Sequence, residues 1–236
     1  MERTSYPVVY GREIGWISAA DMIEVDRVMI DDLRIELLQM MENAGRNLAR
    51  LVLDLAAPST VAVAAVAAGA GGNGGGGLVA ARHLTNAGVE VIVTMTHPAS
   101  DLTGVPAHQF DILQRMGISS SPTLARADVA IDAVIGYSLR GAPRGTSAAL
   151  VADLNAASIV VALDNPSGLD VTTGRAPGAV VSAAATMTLA LPKLGLRNSP
   201  HVGDLYLADI SVPRTVTGPL GPTAPEFSPG PILAVI

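Results

Sequence analysis

Apolar residues recur along this chain with two different periods. From Ser18 onward, Met22, Val25, Val28, Met29 and Leu33 fall at helical spacing, with Ser18 and Asp21 placed as a capping box. A second helical pattern runs from Leu37 to Leu55 through Met40, Met41, Ala44, Leu48, Leu51 and Val52, and Pro58 closes it. Residues 1–17 show no clear period and read as an arm leading into the first helix. After Pro58 the pattern changes to short runs that are apolar throughout: Val61–Ala68, Val89–Met95, Val129–Val134, Ile159–Leu163, Ala185–Leu191 and Leu205–Ile210. Strands covered by helices on both faces lose the usual in–out alternation, so these runs predict the strands of a parallel sheet. Leu78–Asn86, Val105–Met116 and Ser147–Ala156 predict the helices between them.

That alternation predicts an α/β fold, a three-layer αβα, doubly wound, Rossmann-like and mostly parallel sheet. One domain spans 1–212, including the N-terminal helical arm. The 24 residues from Pro213 hold six prolines and predict an irregular tail, 213–236. Ligands of such sheets bind beyond the carboxyl ends of the strands, near the switch in strand order.

The bulk properties narrow the function. The 236 residues carry a net charge of −6, which gives no footprint for nucleic acid or an anionic membrane surface. There is no cysteine, so disulfides and thiolate metal sites are excluded; with no secretory pattern and no membrane span, a cytoplasmic location is expected. Fourteen of the 15 basic residues are Arg, and Lys193 is the one Lys. In a chain that otherwise uses Arg, this marks either a position that needs a compact ammonium or a chance survivor.

The densest chemical signal is Gly69-Ala70-Gly71-Gly72-Asn73-Gly74-Gly75-Gly76-Gly77, with seven glycines in nine residues between a predicted strand and a predicted helix. Bare backbone N–H groups at a helix N-terminus suit a phosphate, so a nucleotide-like ligand is expected. Gly69, Gly71 and Gly74 formally satisfy the dinucleotide fingerprint. A dehydrogenase of that type also needs a carboxylate at the end of the second strand, where this chain has Met95-Thr96-His97, so the match is set aside. Three further loops would converge on the same rim: Asp132 with Gly136-Tyr137-Ser138-Leu139-Arg140-Gly141, then Asp164-Asn165-Pro166-Ser167-Gly168, then Pro192-Lys193-Leu194-Gly195. Singly, each is as readily a loop cap as a functional group.

These motifs, taken with Met41-Glu42-Asn43-Ala44-Gly45, Leu78–Leu84 and Ala208-Asp209-Ile210-Ser211-Val212-Pro213, resemble the YjeF N-terminal domain family. Its members are the NAD(P)H-hydrate epimerases, known in animals as apolipoprotein A-I binding protein. The resemblance covers about 16–213. It implies an isomerase of cofactor repair that interconverts the R and S epimers of NAD(P)H hydrated at C6. It further implies a monovalent cation, usually K+, held by Asn73, Asp132 and Ser167, and no organic cofactor beyond the dinucleotide substrate. By the same resemblance the substrate meets Asn73, Gly74, Gly75, the Gly136–Gly141 turn and Asp164. Glu42 and Asn43 either reach it or are polar residues of a helix surface.

For proton transfer, Asp132 is the first candidate, with Lys193 near the phosphates or tuning it. A homodimer is implied, with the partner dehydratase on a separate chain. The family's loop reads Asn-Asn-Gly-Gly-Asp-Gly where this chain has Gly72-Asn73-Gly74-Gly75-Gly76-Gly77, without the first Asn and the Asp. Two other readings stand beside the epimerase. One is a repurposed relative isomerising or cyclising another small molecule in specialised metabolism; the other is a non-catalytic nucleotide- or protein-binding module.

Overall fold

The computed structural model describes residues 6–56 and 61–236; Pro58, expected to close the second helix, lies outside them. Helix α1 spans Ala19–Arg27 and starts as its sequence predicts. Ser18 Oγ accepts from the Asp21 amide at 3.2 Å while the Asp21 carboxylate accepts from the Ser18 amide at 2.8 Å, so two otherwise orphaned donors are satisfied. The helix does not continue regularly to Leu33 as expected. Val28–Asp32 forms a widened π turn, closed by Leu33 N–H to the Val28 carbonyl at 2.9 Å, and the chain reverses at Arg34 with φ 61°. The wide turn keeps Met29 fully buried while redirecting the chain into helix α2, Leu37–Ala56.

Among the described residues, nine strands form one sheet in the order β1-β9-β8-β7-β6-β5-β2-β3-β4. The central strands are β2 (Val63–Ala68), β3 (Glu90–Met95), β5 (Val129–Ala133), β6 (Val160–Leu163), β7 (Ala185–Leu189) and β8 (Asp204–Ala208). Short strands β1 (Val8–Val9) and β4 (Ser120–Ser121) lie at the two edges. All neighbours run parallel except β8 and β9 (Ile232–Val235). The fold is therefore a three-layer α/β with a mostly parallel sheet, as the apolar runs implied. From β2 the chain winds outward to β3 and β4, then crosses back to β5 on the other side of β2. This puts the switch in strand order between β2 and β5.

Alternate residues of β2 face opposite layers. Ala64, Val66 and Ala68 pack with α2, with α3 (Gly72–Asn86) and with α4 (Gly104–Arg115), whereas Ala67 packs with α5 (Gly145–Asn155). Two expectations need correction. The tail beyond Pro213 is not irregular throughout: β9 hydrogen-bonds antiparallel to β8 and parallel to β1, so it belongs to the sheet. The last-strand pattern Ile-Leu-Ala-Val was masked by the prolines around it. The residues before Ile17 likewise contribute β1, and Ile17 bridges to Lys193, which ties the start of α1 to the loop after β7.

Candidate active site

A cavity of about 630 Å³ opens at the carboxyl ends of β2 and β5, at the switch in strand order, within the size range of small-molecule sites. Its floor includes Gly69 and Ala70 after β2, and Val134 and Ile135 after β5. Asn73, Gly136, Tyr137, Ser138 and Asp164, all named from the sequence, line it.

The glycine stretch is not a loop. Gly71 caps α3 and the helix runs from Gly72, so most of the glycines are helical and buried. Gly74 and Gly75, expected to contact substrate, do not line the cavity, and the Gly75 N–H is used by the Gly71 carbonyl at 3.0 Å. Their lack of side chains serves packing. A Cβ on Gly75 would stand 2.6 Å from Met41 Sδ, and one on Gly77 2.5 Å from Ala133 Cβ. The start of α3 lines the cavity with Gly71, Gly72 and Asn73, where the first amides of a helix have no intrahelical acceptor. Gly76 lines the cavity beside Leu163, so the wall is apolar where the family's Asp would stand.

Asp132 is the penultimate residue of β5 and is completely buried, away from the cavity lining. Its Oδ1 accepts from Ser167 Oγ at 2.5 Å and from the Val134 amide at 3.2 Å, and its Oδ2 from the Ser167 amide at 2.7 Å. Burial pushes its carboxyl up to about 6, with the Ser167 and Val134 hydrogen bonds opposing the rise. Ser167 Oγ also accepts from the Ile135 amide at 2.8 Å, so the pair braces the floor from below.

Lys193 is fully buried, and its three ammonium protons meet three acceptors: the Asp164 carboxylate, the Leu189 carbonyl at 2.8 Å and Thr188 Oγ1 at 3.3 Å. A planar guanidinium could not be shared among these, which accounts for the lone lysine. Like Asp132, it does not line the cavity. It anchors Asp164, which does, and which holds a left-handed φ of 67°, unusual for a residue with a side chain. Ser167, too, stands behind the wall.

Glu42 and Asn43 point elsewhere. Glu42 pairs with Arg82 and with His83 Nε2 at 2.8 Å on the outer side of α2 and α3, and Asn43 bonds Arg46 at 3.0 Å and Ser211 at 3.3 Å. Neither residue lines the cavity, because α2 presents Met40, Met41 and Ala44 to it, and 42 and 43 fall on the other face. Leu139, Arg140 and Gly141 also lie outside the lining.

The sequence reading missed the wall built by α1 and the π turn that follows it. Met22, Asp26 and Ile30, spaced four apart, line the cavity, and the Asp26 carboxylate accepts a short hydrogen bond from the Tyr137 hydroxyl. One carboxylate inside an apolar i, i+4, i+8 stripe was the available signal. Burial raises the Asp26 carboxyl, while the Tyr137 hydrogen bond and the Lys193 charge oppose the rise and the Asp164 charge adds to it. Burial and the adjoining Asp26 hold the Tyr137 phenol well above its usual range. Thr96 and His97, after β3, complete the rim; they bond each other at 2.8 Å.

Comparison with known proteins is consistent across this frame. The model of the family described as YjeF-related protein N-terminus matches residues 37–195. An NAD(P)H-hydrate epimerase of Dehalogenimonas lykanthroporepellens is 44% identical over 87% of this chain and 86% of that protein. One of Truepera radiovictrix is 37% identical over 93% of this chain and 100% of its own. A bifunctional NAD(P)H-hydrate repair enzyme of Moorella thermoacetica is 37% identical over 84% of this chain, which spans 41% of that longer protein. The crystal structure of yeast ynu0 superposes with a TM-score of 0.79 over 93% of this chain and 99% of that one, at 24% identity, a likeness of fold.

Proposed function

The chain belongs to the YjeF-related N-terminal family, and we propose that it is an NAD(P)H-hydrate epimerase, an isomerase that interconverts the two C6 epimers of hydrated NAD(P)H. The carrying observation is the coincidence of two facts. Relatives alike over most of both chains bear that activity, and the open N-terminus of α3, the Gly136–Ser138 turn and Asp164 line one cavity at the sheet's switch point. The N-terminal amides of α3 suit the pyrophosphate, since they combine unused donors with the positive end of the helix dipole. Met22, Ile30 and Met40 give an apolar wall for the nicotinamide, and Asp164, oriented by Lys193, is a polar anchor.

A monovalent cation belongs to the same proposal. Asp132 Oδ2 and Ser167 Oγ each keep a lone pair after the hydrogen bonds they make. The Asn73 amide has its Nδ2 buried without a partner, and turning that amide over would present Oδ1 instead. An all-oxygen set with one carboxylate fits a hard ion such as K+. When bound, the ion would supply positive charge to the site. On this reading Asp132 supports the site from beneath rather than touching the reacting atoms. No described helix is long and apolar enough to cross a membrane. The expected homodimer, the cytoplasmic setting and a partner dehydratase activity stay within the proposal; a sedimentation mass of two chains would support the first.

The test starts from one purified epimer of the hydrate and follows appearance of the other by reversed-phase separation. Equilibration far faster than in buffer, and faster in K+ than in an equal concentration of a bulky organic cation, is the expected result. Wild-type protein no faster than buffer would reject the reading in favour of a repurposed or non-catalytic relative.

A further inference from the structure

Asp26 stands in an unusual balance of charge. Its surroundings on the chain are apolar, with Met22 one turn before it in α1 and Ile30 in the π turn that follows, and all three line the cavity. A carboxylate in such a place costs free energy unless a partner compensates. Lys193 is the nearby cation, but its three protons are taken by Asp164, Thr188 and Leu189, so none remains for Asp26. The bonded partner is the Tyr137 hydroxyl, itself on the cavity wall. Two carboxyl groups thus face one cavity beside a single ammonium. One is ion-paired and the other is held only by a phenol. Such unequal surroundings separate an acid from a base.

We propose that Asp26 is a catalytic acid–base residue of this site, giving a proton to the C6 hydroxyl of the hydrated nicotinamide as the C6–O bond breaks. This rests on the epimerase reading above. The bonding pair leaves with the oxygen, which takes the Asp26 proton and departs as water. The ring nitrogen lone pair closes to a planar iminium at C6. A water then adds to C6 from the opposite ring face, the iminium π pair returns to nitrogen, and the proton shed by that water passes to the Asp164 carboxylate. Exchange with solvent restores the starting protonation, and no oxidant or reductant enters. The neutral form that this role requires agrees with the upward push that burial and Asp164 give the Asp26 carboxyl, against Tyr137 and Lys193.

The experiment measures kcat and KM against pH for wild type, Asp26→Asn and Tyr137→Phe, each as full-length protein checked by thermal melting and NADPH binding. Asp26→Asn should lose about 100-fold or more in kcat with KM little changed, the scale of a lost general acid. Wild-type kcat should fall as pH rises past the Asp26 carboxyl. In Tyr137→Phe that fall should move to higher pH, because the hydroxyl that stabilises the carboxylate is gone. An active wild type beside an Asp26→Asn variant with unchanged kcat and pH profile overturns this inference alone; an inactive wild type overturns the epimerase reading and this inference with it. Should Asp26→Asn fail to fold, the shift in Tyr137→Phe decides, and an unmoved limb counts against Asp26.

Discussion

The glycine run 69–77 and the glycine-bearing turn 136–145 leave neighbouring strands, β2 and β5, at the same rim of the sheet, yet they use glycine for opposite ends. In the first, Gly74, Gly75, Gly76 and Gly77 are buried inside α3, and a Cβ at any of them would strike backbone, Met41, Leu163 or Ala133. In the second, a Cβ at Gly141 or Gly145 meets nothing within 4 Å, and what glycine supplies is a left-handed backbone, φ 72° and 54°. One segment lets a helix sink against the sheet and α2. The other lets an exposed chain turn. The residue is the same in both; the cost of changing it is not.

The strongest way to break this contrast is Gly74→Ala. Its Cβ would fall on the Gly69 carbonyl, well inside any allowed contact and against backbone that cannot swing away. Either α3 loses its first turn or the strand end moves, and we expect a loss of about 3 kcal/mol or more, beyond ordinary overpacking. Urea unfolding would measure it. A variant within ~0.5 kcal/mol of wild type would show that the glycines are not there for close approach.

That mechanism also explains what the sequence did and did not disclose. The strands could be read because β2 and β6 are apolar on both faces and β5 is so apart from Asp132, and the capping box at Ser18 could be read because its chemistry is local. Asp164, Tyr137 and Asn73 came to the cavity because the topology brings the ends of β2, β5 and β6 together. The start of α3 was hidden, since seven glycines argue against a helix by propensity and only packing against Met41 and Ala133 reveals why they are tolerated. Asp26 was hidden for a different reason. Its helix docks on the cavity through the Ile17–Lys193 bridge, a contact between residues 176 positions apart in the chain, which no local pattern encodes. Strand β9 was hidden by the prolines that flank it.

Gly141→Ala probes the second segment and should cost less. Nothing obstructs the new methyl group, so the penalty is that of a left-handed alanine, about 1–2 kcal/mol, offset in part by ~0.4–1 kcal/mol of unfolded-state entropy. A net loss near 1 kcal/mol in the same urea titration is the expected outcome. A loss as large as that of Gly74→Ala would mean the turn is packed after all, and the contrast between the two segments would collapse.

Gly71 lies between the two cases and gives the smallest effect, with opposite signs for stability and binding. It is the N-cap of α3, exposed, with an extended backbone (φ −99°, ψ −168°) open to any residue and nothing within 4 Å of a new Cβ. Aspartate there can accept from the free amides of the first turn and meets the positive end of the helix, so Gly71→Asp should stabilise the fold by a few tenths of a kcal/mol. Those same amides line the cavity where the pyrophosphate of the proposed substrate would rest. The added carboxylate both occupies them and repels the ligand, so KM for the hydrate should rise several-fold while kcat changes little. Gly71→Asn separates the two contributions, because it caps comparably without the charge. If Gly71→Asp and Gly71→Asn raise KM equally, occupation of the amides is the cause. If Gly71→Asp alone does so, and added salt relieves it, charge is the cause. If neither variant alters KM, the phosphate does not sit at the start of α3, and the glycine run serves packing only.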